Sequence, residues 1–377
     1  SRSELVARTG LTRSAIRGLI GELVAGDLVS EERPEPLGTP GRPSPLVRLR
    51  AERAVALALA INVDSLAGAY VGLGGEVIAH RRIDRRPGRL GIDDTIDDLV
   101  ALAASIGRRR IAPDQLIGIG VAVAGVVRRT DGFVSLAPNL GWRDVPLGLR
   151  LEQAFGAGTP VWVANDADLG ALGEHRRGAA VGWEHVLFIS GEVGVGGGLI
   201  VDGKPLAGAA GYAGEVGHIP VNPRGAACRC GSTGCWETEV GEDALLIRAG
   251  RPAGAGREEV QAVLADARAG APAALRAIDD VGRWLGVGLS GLINVLNPQL
   301  VVLGGLFGEI HPFVAGTIEG ELDRLALAAP RQLVTIVPAM LDNDAPLLGA
   351  AELAFGPFLA DPARWLRVGG NRNLATA

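Results

Sequence analysis

The sequence predicts an α/β fold of two similar lobes around a cleft, preceded by a small helix-turn-helix head. Three observations carry that expectation. Strand-length apolar runs alternate with amphipathic helices from Ala51 onward, the second half repeats the order of the first, and residues 1–50 hold two short helices around a glycine turn. A chain of 377 residues fits two or three domains at ~150 residues each.

In the head, Ser3 to Thr9 reads as a helix that stops at Gly10. Thr12 follows as the N-cap of a second helix, Arg13 to Leu28, in which Ile16, Leu19, Ile20, Leu23 and Val24 fall on one face. Arg13, Ser14 and Arg17 occupy the first turns of the opposite face. Val29 to Arg33 leads into a Pro- and Gly-rich stretch, and Leu46 to Leu49 resumes an extended strand. That is a β-hairpin wing with Arg42 at or near its tip. A helical hairpin followed by a linker that binds nothing fits the same residues equally well. Three-helix DNA-binding folds need another helix before this pair. The only Met is Met340, so the chain is expected to be cut at its N-terminus, with that helix upstream.

The α/β part opens with Val55 to Ile61, an apolar run of strand length, followed by Ala69–Leu73 and Val77–Ala79 with glycine turns between them. Ile92, Ile96, Leu99, Ala103 and Ile106 mark an amphipathic helix. Strands are expected at Ile117–Val123 and Val161–Ala164, with a helix at Leu147–Phe155 between them. Val186–Ile189 and Gly198–Val201 flank a glycine-rich turn. A helix from about Asp280 to Leu296 precedes the buried strand Gln299–Leu303.

Composition removes several classes. No run of about 20 apolar residues exists to span a membrane, and the first residues lack the apolar core of a signal peptide. A cytoplasmic protein is expected. The net charge is −5, with a +2 head on a body at −7, which permits nucleic-acid binding by the head and disfavours it for the body. The three cysteines all lie between 228 and 235, a ligand cluster rather than a disulfide framework.

That cluster is the sharpest signal. His218 ends the run Gly214-Glu215-Val216-Gly217-His218, and Cys228, Cys230 and Cys235 follow within 18 residues counted from His218. Zinc prefers four tetrahedral ligands of this S/N type, and four protein ligands leave no open position for a catalytic water. A structural zinc ion held by His218, Cys228, Cys230 and Cys235 is expected, pinning the loop that carries Glu215, His218 and Glu237. Gly231 and Gly234 supply the turns, and Trp236 is expected to pack the loop onto its lobe. Trp142 is a candidate for the cleft wall.

From about Val55 to Phe355 the sequence resembles the ROK family (repressors, open reading frames and sugar kinases). The resembling motifs are Gly214 to His218, the Cys-x-Cys-Gly-x-x-Gly-Cys-x-Glu run from 228 to 237, Ala164-Asn165-Asp166-Ala167, and Gly194 to Gly198. The resemblance implies an actin-like (ribonuclease H-like) two-lobed fold of the ATPase and sugar kinase type. With the winged helix-turn-helix head, the whole chain is similar to ROK transcriptional regulators, the sugar-responsive xylose- and N-acetylglucosamine-type repressors. The implied domains are a DNA-binding head at 1–50, one lobe at 51–175 to which 345–377 returns, and a second lobe at 176–344 with the zinc loop.

Position by position, the resemblance makes Asn165 and Asp166 a sugar-binding pair, the Asp being the general base of kinase members. Glu215, His218 and Glu237 would hold ring hydroxyls, and Asn139 lies in the segment that closes over the sugar. Elementary chemistry agrees, because carboxylates, amides and imidazole match a ring of hydroxyls that both donate and accept. Phosphate handling separates sensor from kinase. Family kinases carry Asp-x-Gly-Gly-Thr after the first strand; here the stretch is Asn62-Val63-Asp64-Ser65-Leu66, and Glu192-Val193 replaces a Gly-Thr pair. Both glycines are gone and carboxylates stand where phosphate oxygens would lie. The expectation is a homodimer or homotetramer that binds operator DNA through Thr12, Arg13, Ser14, Arg17 and Arg42. It would take up a monosaccharide without phosphorylating it. The alternative is a kinase with Asp166 catalytic.

Overall fold

The computed structural model describes residues 1–32, 44–85, 91–107, 111–112, 114–156 and 158–367. Local chemistry sets the head. Ser1 caps α1 (Arg2–Thr9) reciprocally with Glu4, and Gly10 ends the helix in the left-handed region at φ 69°. The Thr12 hydroxyl then accepts from the Ala15 N–H at 3.2 Å to start α2 (Arg13–Ala25). α2 stops short of the predicted Leu28, because Gly26 takes the C-cap and Asp27 turns to φ 61°. Of its predicted apolar face Ile16 and Ile20 are buried, while Leu19 and Val24 remain 47% and 41% exposed. The elements of the head cover only one side of that stripe.

β1 (Val29–Glu32) and β2 (Leu46–Leu49) pair antiparallel, with Val29 opposite Leu49 and Glu32 opposite Leu46. This is the predicted hairpin; its tip, and with it Arg42, lies outside the described residues. The head is seated on the body by Leu28, which is buried in one apolar cluster with Ala56, Ala58, Phe355 and Phe358. The Arg53 guanidinium reinforces the seat by pairing with Asp27 at 2.9 Å.

The body begins with β3 (Val55–Ile61), buried at every residue, which is why its sequence is a continuous apolar run. β4 (Ser65–Gly72) and β5 (Val77–Asp84) return antiparallel; α3 (Ile92–Gly107) and β6 (Leu116–Val123) follow. Three short strands come next, β7 (Val126–Arg128), β8 (Phe133–Ala137) and β9 (Trp142–Val145), which form a separate antiparallel sheet. Trp142 is buried in the core there, so it packs rather than lining the cleft. α4 (Leu147–Phe155), β10 (Val161–Asn165) and α5 (Asp166–Arg177) complete this half. Its five-stranded sheet runs β10-β6-β3-β4-β5, with β6 and β10 parallel to β3.

The second half repeats that design. β11 (Val186–Gly191), β12 (Val195–Val201) and β13 (Lys204–Pro205) are successively antiparallel. A long loop then leads to α6 (Trp236–Val240), α7 (Glu242–Arg248), α8 (Arg257–Arg268) and α9 (Pro272–Leu296). α9 starts at Pro272 rather than Asp280, since proline is favoured in a first turn and Ala274, Ala277 and Ile278 extend the buried face. β14 (Leu300–Gly305), α10 (Leu306–Leu325), α11 (Ala328–Leu333) and β15 (Thr335–Pro338) follow. The sheet order β13-β12-β11-β14-β15 mirrors the first sheet strand for strand, with β14 and β15 parallel to the leading strand.

α12 (Ala345–Ala360) then packs back on the first sheet, where Leu347, Ala350 and Ala351 share a core with Ala56, Ala58 and Ala122. It also crosses α5 backbone to backbone: a Cβ on Gly349 would fall 1.8 Å from the Leu169 carbonyl oxygen. α13 (Pro362–Arg367) ends the described chain. No helix among the described residues is long and apolar enough to cross a membrane.

Candidate ligand cleft and metal centre

One wall of the cleft is where β10 runs into α5. Asn165 ends the strand and caps the helix, its Oδ1 accepting from the Ala167 and Asp168 N–H groups at 2.8 and 3.1 Å. Its Nδ2 donates to the Gly125 carbonyl at 2.9 Å, leaving one N–H for a ligand. Asp166 follows in the first helical turn, where the helix dipole favours a negative group. Burial nevertheless pushes its carboxyl above the usual range, against the backbone hydrogen bond from Ala167. Asp168 stands beside it and is pushed up to about 7, first by burial, with Glu215 and Asp166 adding repulsion and Arg129 opposing them. Sequence reasoning missed Asp168. The signal available was a second carboxylate two residues after the first, at the carboxyl end of an apolar strand.

The facing wall is the loop before α6. A single 3-10 turn, Val216–His218, sets Glu215 and His218 side by side, with His218 Nε2 4.0 Å from Glu215 Oε2. Burial raises the Glu215 carboxyl; Asp166 and Glu237 raise it further while His218 opposes them. Glu237 sits in the first turn of α6 and accepts from the Val195 N–H at 3.0 Å. The glycine-rich turn between β11 and β12 is therefore tied to the loop. Glycine at 198 has a packing cause: a Cβ there would meet the Ala167 carbonyl oxygen at 2.4 Å, so only glycine lets β12 lie against the start of α5.

The ligand atoms of His218, Cys228, Cys230 and Cys235 all lie within 4.8 Å of one another. His218 turns Nδ1 to Cys228 Sγ at 3.7 Å, so its two ring nitrogens face the cluster and the cleft respectively. The thiols are unpaired as disulfides, and Cys230 Sγ lies 3.7 Å from Cys235 Sγ. Burial pushes the Cys228 thiol up to about 12 in the absence of a cation. Thiols this close are stabilised as thiolates by a positive ion, and a three-sulfur, one-nitrogen donor set fits a tetrahedral metal. The cluster can hold a metal ion.

Trp236 fixes this loop to α9: it is fully buried, donates Nε1–H to the Trp284 carbonyl at 2.9 Å and lies against Gly288. Arg229, between two of the cysteines, reaches outward. It donates to Asn139 Oδ1 at 2.8 Å and to Asp243 Oδ2 at 2.9 Å, joining the segment after β8 to α7. Asn139, Asn165, Asp166, Glu215, His218 and Glu237 thus gather around one cleft. Sequence reasoning gave Arg229 no role, although a cation between two clustered cysteines was there to be noticed.

The two turns that could meet phosphate are otherwise engaged. Between β3 and β4, the Asn62 N–H bonds the Ser65 carbonyl at 3.0 Å, Asn62 Nδ2 bonds Ser65 Oγ at 3.1 Å, and Ser65 Oγ donates to Asp64 at 2.9 Å. In the second turn the Val195 N–H is spent on Glu237. Glu192 keeps exposed surface, yet the protein packed around it makes desolvation the largest cause of its shift; desolvation, then Asp166, Glu242 and Asp64, push it up to about 7 against the pull of Arg257. Carboxylates converge here, and the cations beside them are already paired, Arg257 with Glu242 at 3.0 Å and Arg82 with Asp64 at 3.3 Å.

On the head, Thr12, Arg13, Ser14 and Arg17 are exposed at the start of α2, apart from the cleft, with Thr12 Oγ1 3.0 Å from Ser14 Oγ. Arg2, Arg48 and Arg50 are consumed by Glu31, Glu32 and Asp27. Arg8, Arg13 and Arg17 form no ion pair among the described residues, so the available positive charge of the head's described part lies at the end of α1 and the first turns of α2.

Comparison with known proteins accords with this architecture. The xylose repressor of Bacillus spizizenii is 29% identical over 361 residues, covering 95% of this chain and 92% of that protein. The glucokinase of Streptomyces coelicolor is 33% identical over 274 residues, covering 68% of this chain and 86% of that protein. Among solved structures, a ROK family transcriptional regulator homologous to the MLC protein of E. coli matches with a TM-score of 0.77 at 26% identity, over 98% of this chain and 92% of its own. A ROK family glucokinase from Streptomyces griseus, in complex with glucose and AMPPNP, matches with a TM-score of 0.69 at 30% identity, over 80% of this chain and 99% of its own. The regulators match nearly the whole length, head included, whereas the kinases match the body. Residues 56–356 fit the ROK family as a whole, and with the paired sheets, the cleft between them and the His-Cys cluster beside it, the chain belongs to the ROK family.

Proposed function

We propose that this protein is a sugar-responsive transcriptional regulator, a repressor, that binds operator DNA with residues 1–50 and senses a monosaccharide or its derivative in the cleft. Residues 51–175 with 345–377 form one lobe and 176–344 the other. Asn139, Asn165, Asp166, Glu215, His218 and Glu237 bind the sugar's hydroxyls. His218, Cys228, Cys230 and Cys235 hold a structural zinc ion, which supplies rigidity to the loop and, being fully ligated by protein, no open coordination position. The protein acts in the cytoplasm as a homodimer or homotetramer that presents two heads to a pseudo-palindromic site. Arg13, Ser14 and Arg17 enter the major groove, where Arg reads guanine, and Arg42 reaches phosphate or the minor groove.

The observation that carries a sensor over a kinase is the set of carboxylates at the nucleotide side of the cleft: burial raises the proton affinity of Glu192 and Glu242, the charge of Asp64 adds to both, and Asp166 and Glu242 add to that of Glu192. A triphosphate would add its charges to that field. Two unit charges 4 Å apart repel by about 4 kcal/mol at an effective dielectric of 20. Asp166 is then left to accept a hydrogen bond from a sugar hydroxyl. Sugar held between the α5 wall and the loop wall draws the lobes together and alters the spacing of the heads, coupling sugar and operator affinities by about 1–3 kcal/mol.

A second reading rests on the retained Asp166 and the match to glucokinases: a kinase in which Asp166 takes a proton from the sugar hydroxyl that attacks the γ-phosphate of ATP. Two measurements on the full chain decide. Monosaccharides, including xylose, glucose and N-acetylated hexosamines, are screened for thermal stabilisation and for a change in operator retention. The same sugars are offered with ATP and magnesium in a coupled assay. The sensor reading expects a stabilising sugar that shifts operator binding without turnover; turnover near one per second, in the ordinary range for kinases, overturns it.

A further inference from the structure

A cavity of about 600 Å³ opens between the C-terminal half of α5, β13 and α12. It is not part of the cleft; its charged lining is Arg129, Arg176, Arg177 and Glu352, and Leu172 and Leu353 contribute apolar surface. One guanidinium is already committed. Arg177 Nε donates to Glu352 at 2.7 Å and its Nη1 to the Gly74 carbonyl, which neutralises that pair and fixes it in place. Arg129 and Arg176 form no ion pair among the described residues; Arg129 also feels the Asp168 carboxyl, so the cavity keeps one free and one partly offset positive charge beside leucine side chains.

Such a lining has a definite complement. Guanidinium groups present planar forks of donors that match carboxylate and phosphate oxygens, and a cavity of several hundred Å³ suits a small molecule. The apolar surface beside the charges gives a carbon body somewhere to lie. We propose that this cavity binds a small organic anion, its phosphate or carboxylate head held by Arg129 and Arg176 and its carbon body against Leu172 and Leu353. The site joins the helix that begins at Asp166 to the helix whose other side shares a core with Leu28 of the head.

The test is titration calorimetry of the full chain with hexyl phosphate, hexanoate and inorganic phosphate, repeated on Arg176→Glu. Arg176 is exposed and outside the cleft, so the reversal leaves folding intact; a thermal melt checks this, and Arg176→Gln replaces it if the melt is lowered. At least one of the two six-carbon anions is expected to bind about tenfold more tightly than inorganic phosphate, and charge reversal to weaken that binding about tenfold or more. The stronger of the two identifies the head group as phosphate ester or carboxylate. Absence of binding by every probe at millimolar concentration overturns the proposal. Equal affinity in the parent and the Arg176 variant also overturns it, by moving the anion elsewhere, such as to Arg13 and Arg17 of the head.

Discussion

Asp168 sits in an environment far from what its side chain prefers. Its carboxyl is held at about 7 by burial and by Glu215 and Asp166, whereas an unfolded Asp titrates near ~3.9. Between those values the folded chain binds a proton that the unfolded chain has released. Stability contributed by this group is therefore complete below about pH 4 and lost as pH rises through about 7. Asp168→Asn, which keeps the shape and removes the charge, should melt higher than the parent at pH 8, by about 1–3 kcal/mol after solvent screening, and converge with it near pH 4. Thermal melts from pH 4 to pH 8 measure this, and a variant that keeps the parent's slope would remove Asp168 as the cause. The same exchange should weaken sugar binding, because an ionised carboxylate accepts from hydroxyls more strongly than an amide. A group kept at a cost to stability beside the cleft fits a binding role.

At the scale of elements, legibility followed burial and period. β3 and β14 were readable because both faces of each are covered, so every residue is apolar, and the metal loop because three cysteines and a histidine crowd one short stretch. β7, β8 and β9 were not: each has only three to five residues, mixed burial and no period long enough to recognise. Trp142 was assigned to the cleft by its neighbours in sequence, but β9 turns it into the core. Within the glycine-rich turn at 194–198, Gly198 has its cause in the close approach of α5. The cleft residues themselves were found through resemblance, since Asn165-Asp166 alone reads as a turn-forming pair. The metal loop gives this scale its prediction. If the cluster holds the proposed zinc ion, its binding is linked to the folded loop, so a chelator should lower the parent's melting temperature. Cys235→Ser should melt lower at the outset and show no further response. Both should lose sugar stabilisation, because Glu215, His218 and Glu237 are set by that loop. An unchanged parent melt after verified metal removal would mean that Trp236 and the loop's own hydrogen bonds suffice.

For the whole molecule, the question is how a cleft far along the chain can be felt by α2. Contact exists: α12 crosses α5 at Gly349, and Leu28, just beyond α2, is buried in the core that α12 forms with the first sheet. A change in how the lobes sit against α5 and α12 thus reaches the head's seat through packed side chains, which rearrange between discrete states rather than deform continuously. Thermodynamics then fixes a relation that no choice of pathway alters: the factor by which sugar changes operator affinity equals the factor by which operator changes sugar affinity. Titrating each ligand in the presence and absence of the other should give the same ratio, about 5- to 150-fold if the coupling is typical. Arg17→Ala separates the two surfaces. Arg17 is exposed on α2 without an ion pair among the described residues, so its loss should cost about 1–3 kcal/mol of operator binding if it reads a base. Sugar affinity without DNA should stay at the parental value. A loss of operator binding uniform across sequences, with a salt slope shallower by about one, would instead assign Arg17 to a phosphate. Unchanged DNA affinity would take Arg17 out of the interface and leave Arg8 and Arg13 as the cations without an ion pair among the head's described residues.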